Sequence, residues 1–340
     1  MKKLITFLLV FSMIFCFAGC GKTNSDSENA DSASNTHNDN LTGGSKLQAA
    51  DKFTSFKNNE KVPIICWGDS ITESMGMQDG YRYPQQLQGD LKGAYKVINA
   101  GVGGEKSAAI LSRANAVDFV LSNDIVFKEG EIKTKIGTKC FSLTDGTEIQ
   151  YKGFGQELRT KSVIIGGENY TLEVDNSNGY NDIFYYIIRT DTSAKTLKKG
   201  TEVKFDYSDV FDKSYCNVML MGANDGDIPI DKLIENYKKL TEKSDRYIVI
   251  IPFYGTDYSK EFTEAFGKNA INAREYFINN AAKDYNIELT EMDEYCIKKN
   301  IIPTKFTYEN KKGDCHLNEY GYKIIADLVY KKGVELGYWE

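Results

Sequence analysis

Short hydrophobic runs alternate with stretches of helical periodicity, and this alternation constrains the fold of the chain most strongly. Helix-like stretches with apolar residues at three- and four-residue spacing lie between or after strand-like runs. Such an order predicts an α/β fold with a parallel sheet and helices on both faces. The predicted strands are Val62–Trp67, Lys96–Ala100, Cys216–Met221, Tyr247–Pro252 and Ile287–Leu289. The predicted helices are Tyr83–Leu91, Lys106–Ala114, Asp231–Lys243, Glu261–Tyr285 and Glu319–Leu336.

One long segment, 124–211, interrupts this pattern. It has no helical period, and its short β-like runs are separated by turn signals such as Asp145-Gly146 and Asn178-Gly179. Several of these runs alternate polar and apolar residues, which is typical of half-exposed antiparallel strands. We therefore predict a β-rich domain, built as a small sandwich, that is inserted into an α/β domain comprising residues 51–123 and 212–340.

Residues 1–20 are predicted to be an export signal. A positively charged start and the apolar run Leu4–Phe17 precede small residues and Cys20. This layout resembles a bacterial lipoprotein signal, in which Cys20 becomes lipidated; an ordinary signal peptide with a chance cysteine is the alternative. Residues 21–50 contain scarcely any apolar side chain, which predicts a flexible tether. The expected location is the outer face of a bacterial cell membrane, with contact to the membrane only through the lipid anchor.

Charge and cysteine content exclude several classes of protein. The formal net charge is −6 and no long basic run occurs, so a nucleic-acid partner is not expected. The 7 cysteines do not form a disulfide framework. Cys66 and Cys216 lie in strand-like runs and are predicted to be core residues. The sequence leaves open whether Cys296 and Cys315 form a disulfide bridge. No Cys/His spacing suits a zinc site.

A serine stands where the first predicted strand ends, in the segment "ICWGDSITES" (65–74). Ligands of α/β folds bind outside the carboxyl ends of the strands, so Ser70 is a candidate nucleophile; its other possible role is a helix N-cap. A serine nucleophile needs a base, which is usually histidine. The chain has 2 histidines. Because His37 lies in the predicted tether, His316 is the candidate base, with Asp314 close to it.

Two further segments follow predicted strands and offer hydrogen-bond donors. "NAGVGGEKS" (99–107) is rich in glycine, and "MGANDG" (221–226) contains the side-chain amide of Asn224. Acyl transfer needs N–H groups aimed at the developing negative charge, and both segments are expected at the same edge of the sheet as Ser70. Other roles stay open: the glycines suit a tight turn, Asn224 or Asp225 suits a helix cap, and Asp69 is expected to brace the turn by hydrogen bonds.

Taken together, these segments resemble the SGNH hydrolase superfamily, also called GDSL esterases. "GDSIT" matches its first block, "GVGGE" its second, "GAND" its third and "HLNEYGY" its last, in the same order. The resemblance covers about 61–123 and 212–340. It implies a flavodoxin-like three-layer α/β/α sandwich. It also implies Ser70 as nucleophile, His316 as base and then acid, and an oxyanion hole formed by the N–H groups of Ser70 and Gly104 with the Asn224 amide.

The chain departs from the family pattern before the histidine. The family usually has an aspartate three residues earlier, where this chain has Gly313; Asp314 is only two residues earlier. A third triad member orients the histidine, so Asp314 fills this role only if the loop is altered, and a backbone carbonyl is the alternative. The motif also differs from the G-x-S-x-G elbow of α/β hydrolases, because Thr72 occupies the last glycine position.

The resemblance implies a serine esterase that removes short acyl groups, chiefly acetyl, from carbohydrate and needs neither a metal nor another cofactor. Lipid esters and small acyl esters or thioesters are competing substrates. A second hypothesis from another class is a glycan-binding surface protein whose hydrolase part is weak or inactive. The displaced aspartate favours this second hypothesis, whereas the matching Ser70, Gly104, Asn224 and His316 favour the enzyme.

Overall fold

The computed structural model describes residues 61–91, 95–154, 157–158, 161–177, 179, 182–208 and 214–340. The strands are β1 (Val62–Gly68), β2 (Tyr95–Gly101), β3 (Phe119–Leu121), β4 (Ile125–Phe127), β5 (Lys133–Ile136), β6 (Phe141–Leu143), β7 (Glu148–Ile149), β8 (Ser162–Ile165), β9 (Glu168–Asp175), β10 (Phe184–Ile188), β11 (Lys195–Leu197), β12 (Glu202–Phe205), β13 (Cys216–Leu220), β14 (Tyr247–Ile250) and β15 (Ala270–Ile271). The helices are α1 (Ser70–Glu73), α2 (Tyr83–Asp90), α3 (Ser107–Arg113), α4 (Ile230–Thr241), α5 (Ser259–Phe266), α6 (Ala273–Asn279), α7 (Ala281–Asp284), α8 (Glu291–Lys298) and α9 (Glu319–Glu335).

A 5-stranded parallel sheet forms the centre of the α/β part, in the order β15-β14-β13-β1-β2. All of its pairings are parallel. The chain passes from β1 to β2 on one side and later returns to the other side of β1 with β13. The direction of winding therefore reverses at β1, and the crevice at such a reversal is where open α/β sheets bind ligands.

Both faces of this sheet are covered by helices. Alternate side chains of each strand point to opposite faces. Ile64 and Val218 belong to one hydrophobic cluster, with residues of α2, α6 and α9. Ile65 and Met219 belong to a second cluster, with residues of α3, α4 and α5. The predicted α/β class is thus confirmed. Cys66 and Cys216 are fully buried in the first cluster, as predicted.

The fifth strand differs from the prediction. Its position is Ala270–Ile271, inside the stretch expected to be one helix from Glu261 to Tyr285, whereas Ile287–Leu289 is not a strand. Helix α5 ends at Phe266 and is followed by Gly267, whose positive φ of 54° is a conformation that favours glycine. Helix α6 then begins afresh, because the Asn272 side chain accepts the N–H of Glu275. A strand of two residues is too short to produce a periodic signal.

The inserted segment forms an 8-stranded antiparallel sheet in the order β5-β10-β9-β8-β12-β3-β6-β7, and β11 pairs with β4 in a separate ribbon. This differs from the two stacked sheets of the predicted sandwich. The single sheet curls: the rings of Phe141 on β6 and Tyr185 on β10 lie 6.1 Å apart although several strands separate them. Strand twist accumulates in a large sheet, so its two ends approach and enclose an aromatic core.

The antiparallel sheet begins before residue 124, because β3 pairs with both β12 and β6. Its core also reaches the α/β part. The Tyr151 hydroxyl lies 2.8 Å from the Ser112 hydroxyl on α3, and the Tyr185 hydroxyl donates to the Tyr151 carbonyl at 2.9 Å. These buried bonds fix the insertion against α3, the helix that follows the glycine-rich segment.

The predicted signal peptide, Cys20, the tether and His37 lie outside the described residues. Within the part of the chain that the structure describes, none of the helices has both the length and the hydrophobicity of a membrane span.

Candidate active site

Ser70 is the first residue of α1 and directly follows the turn at the carboxyl end of β1. Asp69 caps this helix: its carboxylate accepts the N–H of Ile71 at 3.0 Å and the N–H of Ala223 at 3.1 Å. The first bond satisfies a helix donor that has no intrahelical acceptor, and the second ties the turn to the segment after β13. Asp69 therefore braces the turn, as predicted.

Two glycines allow α1 to lie close against the sheet. A Cβ on Gly68 would stand 2.0 Å from Oγ1 of Thr72 and 2.1 Å from the Leu220 carbonyl oxygen. A Cβ on Gly101 would stand 2.2 Å from the Glu73 backbone nitrogen. Both contacts are shorter than side chains allow, so glycine is required at each strand end for Ser70 to reach its position.

The structure brings Ser70, His316 and Asp314 together. Oγ of Ser70 lies 2.8 Å from Nε2 of His316, although 246 positions separate them in the sequence. Nδ1 of His316 lies 3.0 Å from Oδ1 of Asp314. Ser70 is 7% exposed, so its hydroxyl is near the surface yet largely shielded. A carboxylate at Nδ1 holds the ring proton there and leaves Nε2 free to accept the serine proton.

The position of Asp314, one residue later than the family pattern, still allows this contact. Gly313 has a left-handed φ of 74°. The Oδ1 atom of Asp314 accepts the backbone N–H of His316 at 2.9 Å as well as facing its Nδ1. The carboxylate thus folds back over its own loop onto the ring, and the altered loop compensates for the shift in sequence.

Three candidate oxyanion donors come from three different segments. Ser70 provides the first N–H of α1, which has no intrahelical acceptor. Gly104 is exposed and has a left-handed φ of 76°. Asn224 donates one amide hydrogen to the Glu105 carbonyl at 3.0 Å, which fixes its orientation and leaves its second amide hydrogen for another acceptor.

Further polar contacts, which the sequence did not reveal, lock the glycine-rich segment in place. Glu73 accepts the N–H of Gly103 at 2.6 Å. Asp225 accepts the N–H of Ser107 at 3.0 Å and also the Ser107 hydroxyl. Asp225 is therefore a helix cap, as one alternative proposed, but for α3 rather than for the helix that follows it in sequence. The sequence gives no direct signal for these contacts, because they join distant segments. The one hint in the sequence is that Glu73 and Asp225 stand close to motif residues along the chain.

A buried ion pair lies beneath the same segment. Glu105 and Arg113 are 0% and 1% exposed, and Oε2 of Glu105 lies 2.8 Å from Nη2 of Arg113. The other oxygen of Glu105 accepts the N–H of Lys152, in the insertion, at 3.3 Å. Burial raises the pKa of Glu105, which the Arg113 charge opposes. Glu105 thus connects the candidate oxyanion segment, α3 and the insertion.

Burial also shifts the pKa of two other side chains at the site. It raises the pKa of Asp69 to about 7, against the effect of the two N–H groups that this carboxylate accepts. It raises the pKa of the Cys315 thiol to about 12. A thiol with a raised pKa carries little thiolate, so Cys315 is a poor nucleophile even though it adjoins His316. Cys296 and Cys315 are both free thiols in the structure.

One group of side chains in the described part of the chain has the spacing of metal ligands. It consists of Asp314, Cys315 and His316, whose ligand atoms all lie within 4.8 Å of one another. Two of these side chains already take part in the contacts around Ser70: Nδ1 of His316 faces Asp314, and Nε2 of His316 faces Ser70.

Comparisons with known proteins assign no family to this chain. No protein-family model matches it, and no curated protein matches it either.

Proposed function

We propose that the protein is a serine esterase of the SGNH hydrolase type. The observation that carries this proposal is the contact of Ser70 with His316 at 2.8 Å, with Asp314 behind the ring at 3.0 Å. The order of the parallel strands, which corresponds to 2-1-3-4-5 when they are numbered in chain order, supports a flavodoxin-like sandwich. The four motif segments support the SGNH type.

The reaction follows from this geometry. Oγ of Ser70 attacks the ester carbonyl while Nε2 of His316 takes the hydroxyl proton. The tetrahedral oxyanion accepts hydrogen bonds from the N–H groups of Ser70 and Gly104 and from the Asn224 amide. As the bond to the leaving alcohol breaks, His316 returns the proton to that alcohol. Asp314 keeps the proton of Nδ1 in place and stabilises the imidazolium.

The second half of the reaction restores the enzyme. Water attacks the acyl group on Ser70 while His316 accepts a proton from it. The same donors stabilise the second oxyanion. The bond to Oγ then breaks, His316 returns the proton to Ser70, and the carboxylic acid leaves. Each proton moves through Nε2 of His316, and apart from the ester and the water every group in this cycle belongs to the chain.

The proposed substrates are short acyl esters, chiefly O-acetyl groups on carbohydrate, at the outer face of the membrane to which Cys20 anchors the protein. Lipid esters and small acyl esters or thioesters are the alternative substrates. The second hypothesis, an inactive glycan-binding protein, rested on the displaced aspartate. The contact of Asp314 with His316 supports the enzyme over this second hypothesis.

Hydrolysis of p-nitrophenyl acetate tests the proposal. The wild type should turn over this ester, and both Ser70→Ala and His316→Ala should lose about 10⁴-fold or more in kcat. Lys311→Met, at an exposed position of the same loop, is the control, because this side chain is not part of the proposed proton path. Equal rates for the wild type and Ser70→Ala would contradict the proposal and direct attention to glycan binding.

A further inference from the structure

Glu105 is the residue that closes the glycine-rich turn after β2. Its backbone N–H donates to the Val102 carbonyl at 3.3 Å, which completes a four-residue turn with Gly103 and Gly104 at its centre. Gly104 is the third residue of this turn, and glycine adopts the left-handed φ of 76° found there most easily. The orientation of the Gly104 N–H therefore depends on where Glu105 lies.

The side-chain amide of Asn224 depends on the same residue. It donates to the backbone carbonyl of Glu105 at 3.0 Å, although 119 positions separate the two residues in the sequence. An amide group carries two hydrogens in one plane, so this bond also sets the direction of the second hydrogen. The backbone of Glu105 thus orients two of the three candidate oxyanion donors, the Gly104 N–H and the Asn224 amide.

The side chain of Glu105 is a buried anchor for that backbone. Its Oε2 accepts the Nε–H of Arg113 on α3 at 2.8 Å, and its Oε1 accepts the backbone N–H of Lys152 in the insertion at 3.3 Å. Nη2 of Arg113 also donates to the Ala100 carbonyl in β2 at 2.9 Å. The anchor therefore ties the turn to the parallel sheet, to α3 and to the insertion at once.

We propose that Glu105 is a positioning residue for the oxyanion hole, and that its buried carboxylate keeps the Gly104 N–H and the Asn224 amide in the orientation that the oxyanion requires. This inference rests on the proposed esterase function. The oxyanion forms only when the ester carbonyl is attacked, so a misaligned donor weakens the transition state rather than the bound ester. Loss of the anchor should therefore lower kcat and leave KM nearly unchanged.

Glu105→Gln tests this inference in the purified full-length protein, with p-nitrophenyl acetate as the substrate. The single oxygen of the new amide cannot replace both carboxylate oxygens, one of which faces Arg113 and the other the Lys152 N–H. We expect kcat to fall by about 10- to 100-fold and KM to change by less than about twofold. Glu148→Gln, the same change at an exposed position of the insertion, should match the wild type.

A double variant separates positioning from stability. Glu105→Gln leaves the Arg113 charge buried without its counter-ion, which destabilises the fold, whereas Glu105→Gln combined with Arg113→Met removes both charges. The midpoint of urea unfolding should therefore recover in the double variant, while kcat should stay as low as in Glu105→Gln because the anchor is still missing. The double variant also supplies the kcat comparison if Glu105→Gln does not fold. Recovery of kcat together with stability would leave Glu105 a structural role alone and overturn the inference.

The coupling between Glu105 and Asn224 gives a second readout. If Glu105 acts through the Asn224 amide, Glu105→Gln should lower kcat by a factor at least about threefold smaller in the Asn224→Ala background than in the wild-type background. Equal factors in the two backgrounds would show that Glu105 acts independently of Asn224, which contradicts the inference. A wild type whose rate equals that of Ser70→Ala would instead refute the proposed function, so the two failures are distinguishable.

Discussion

The α/β part and the insertion use their charged side chains differently. At the carboxyl ends of the parallel strands, two buried carboxylates have defined partners: Asp69 accepts two backbone N–H groups, and Glu105 pairs with Arg113. In the insertion, ion pairs such as Lys133–Glu173 and Lys139–Glu148 lie at the surface. The buried interior of the insertion is instead dominated by aromatic and aliphatic side chains.

This contrast indicates that the two regions have different roles. Buried, hydrogen-bonded polar groups act in a low dielectric and are already oriented before a reaction begins, which is what stabilising an oxyanion requires. The exposed pairs of the insertion are screened by solvent and contribute little to stability. We infer that the α/β part supplies the proposed chemistry, and that the insertion influences it where its chain contacts β2 and the glycine-rich segment.

The largest effect should come from Asp314. Asp314→Asn keeps the size of the side chain but removes the carboxylate that holds the proton on Nδ1 of His316, so kcat for p-nitrophenyl acetate should fall by about 10³- to 10⁴-fold. Lys311→Met, an exposed change in the same loop, should stay within a few-fold of the wild type. Activity of Asp314→Asn close to that of the wild type would mean that another acceptor orients the histidine.

Removing the buried cation should destabilise the protein strongly. Arg113→Met leaves the Glu105 carboxylate buried without its ion-pair partner, and we expect a loss of about 3–5 kcal/mol in the free energy of unfolding, measured with urea. Lys139→Met breaks an exposed pair of the insertion and should cost less than about 1 kcal/mol. Similar losses for the two variants would refute the contrast between the regions.

Asn224 should affect catalysis without affecting the fold. Asn224→Ala removes a candidate oxyanion donor, so kcat should fall by about 10²- to 10³-fold while KM changes little. Asp227→Asn changes an exposed residue of the same loop and serves as the control. If Asn224→Ala instead raised KM and left kcat unchanged, Asn224 would bind the substrate rather than the oxyanion.

A smaller, pH-dependent effect should come from Glu157, where the insertion meets β2. Its carboxylate accepts the N–H of Asn99 at 2.8 Å, and burial raises its pKa from 4.5 to about 7. The folded state therefore binds this proton more tightly than the unfolded state, and this carboxyl lowers stability as the pH rises from about 4.5 to about 7.

Glu157→Gln lacks this titration and can still accept the Asn99 N–H through its amide oxygen. Its free energy of unfolding, relative to the wild type, should improve by on the order of 2 kcal/mol between acidic and neutral pH and then stay level. The same change at the exposed Glu148 should leave the pH profile of the wild type unaltered. Parallel profiles for Glu157→Gln and the wild type would show that Glu157 ionises normally.

Much of the α/β part could be predicted from the sequence, because parallel strands buried on both faces leave continuous apolar runs. The run Val62–Trp67 and its counterparts in β2, β13 and β14 are examples. The two-residue strand Ala270–Ile271 left no such signal. In the insertion, alternation predicted strands but not their pairing, so the curled sheet differed from the predicted sandwich.

The candidate active site, too, could be predicted from the sequence only in part. Motif order predicted that Ser70 and His316 would meet and left the role of Asp314 open, and the structure brings all three within hydrogen-bond distance. It could not predict that Glu73 would accept the Gly103 N–H, or that the Lys152 N–H would donate to Glu105. Those contacts join segments whose proximity depends on how the whole chain packs.

Covalent labelling tests the central claim, that Ser70 is an activated nucleophile, most directly. The folded protein should react with a fluorophosphonate probe, and peptide mass spectrometry should locate the adduct on Ser70. Ser70→Ala should not be labelled, and His316→Ala should be labelled far more slowly because its serine lacks a base. Lys311→Met should react like the wild type. A folded wild type that stays unlabelled, or that carries the adduct elsewhere, would contradict the claim.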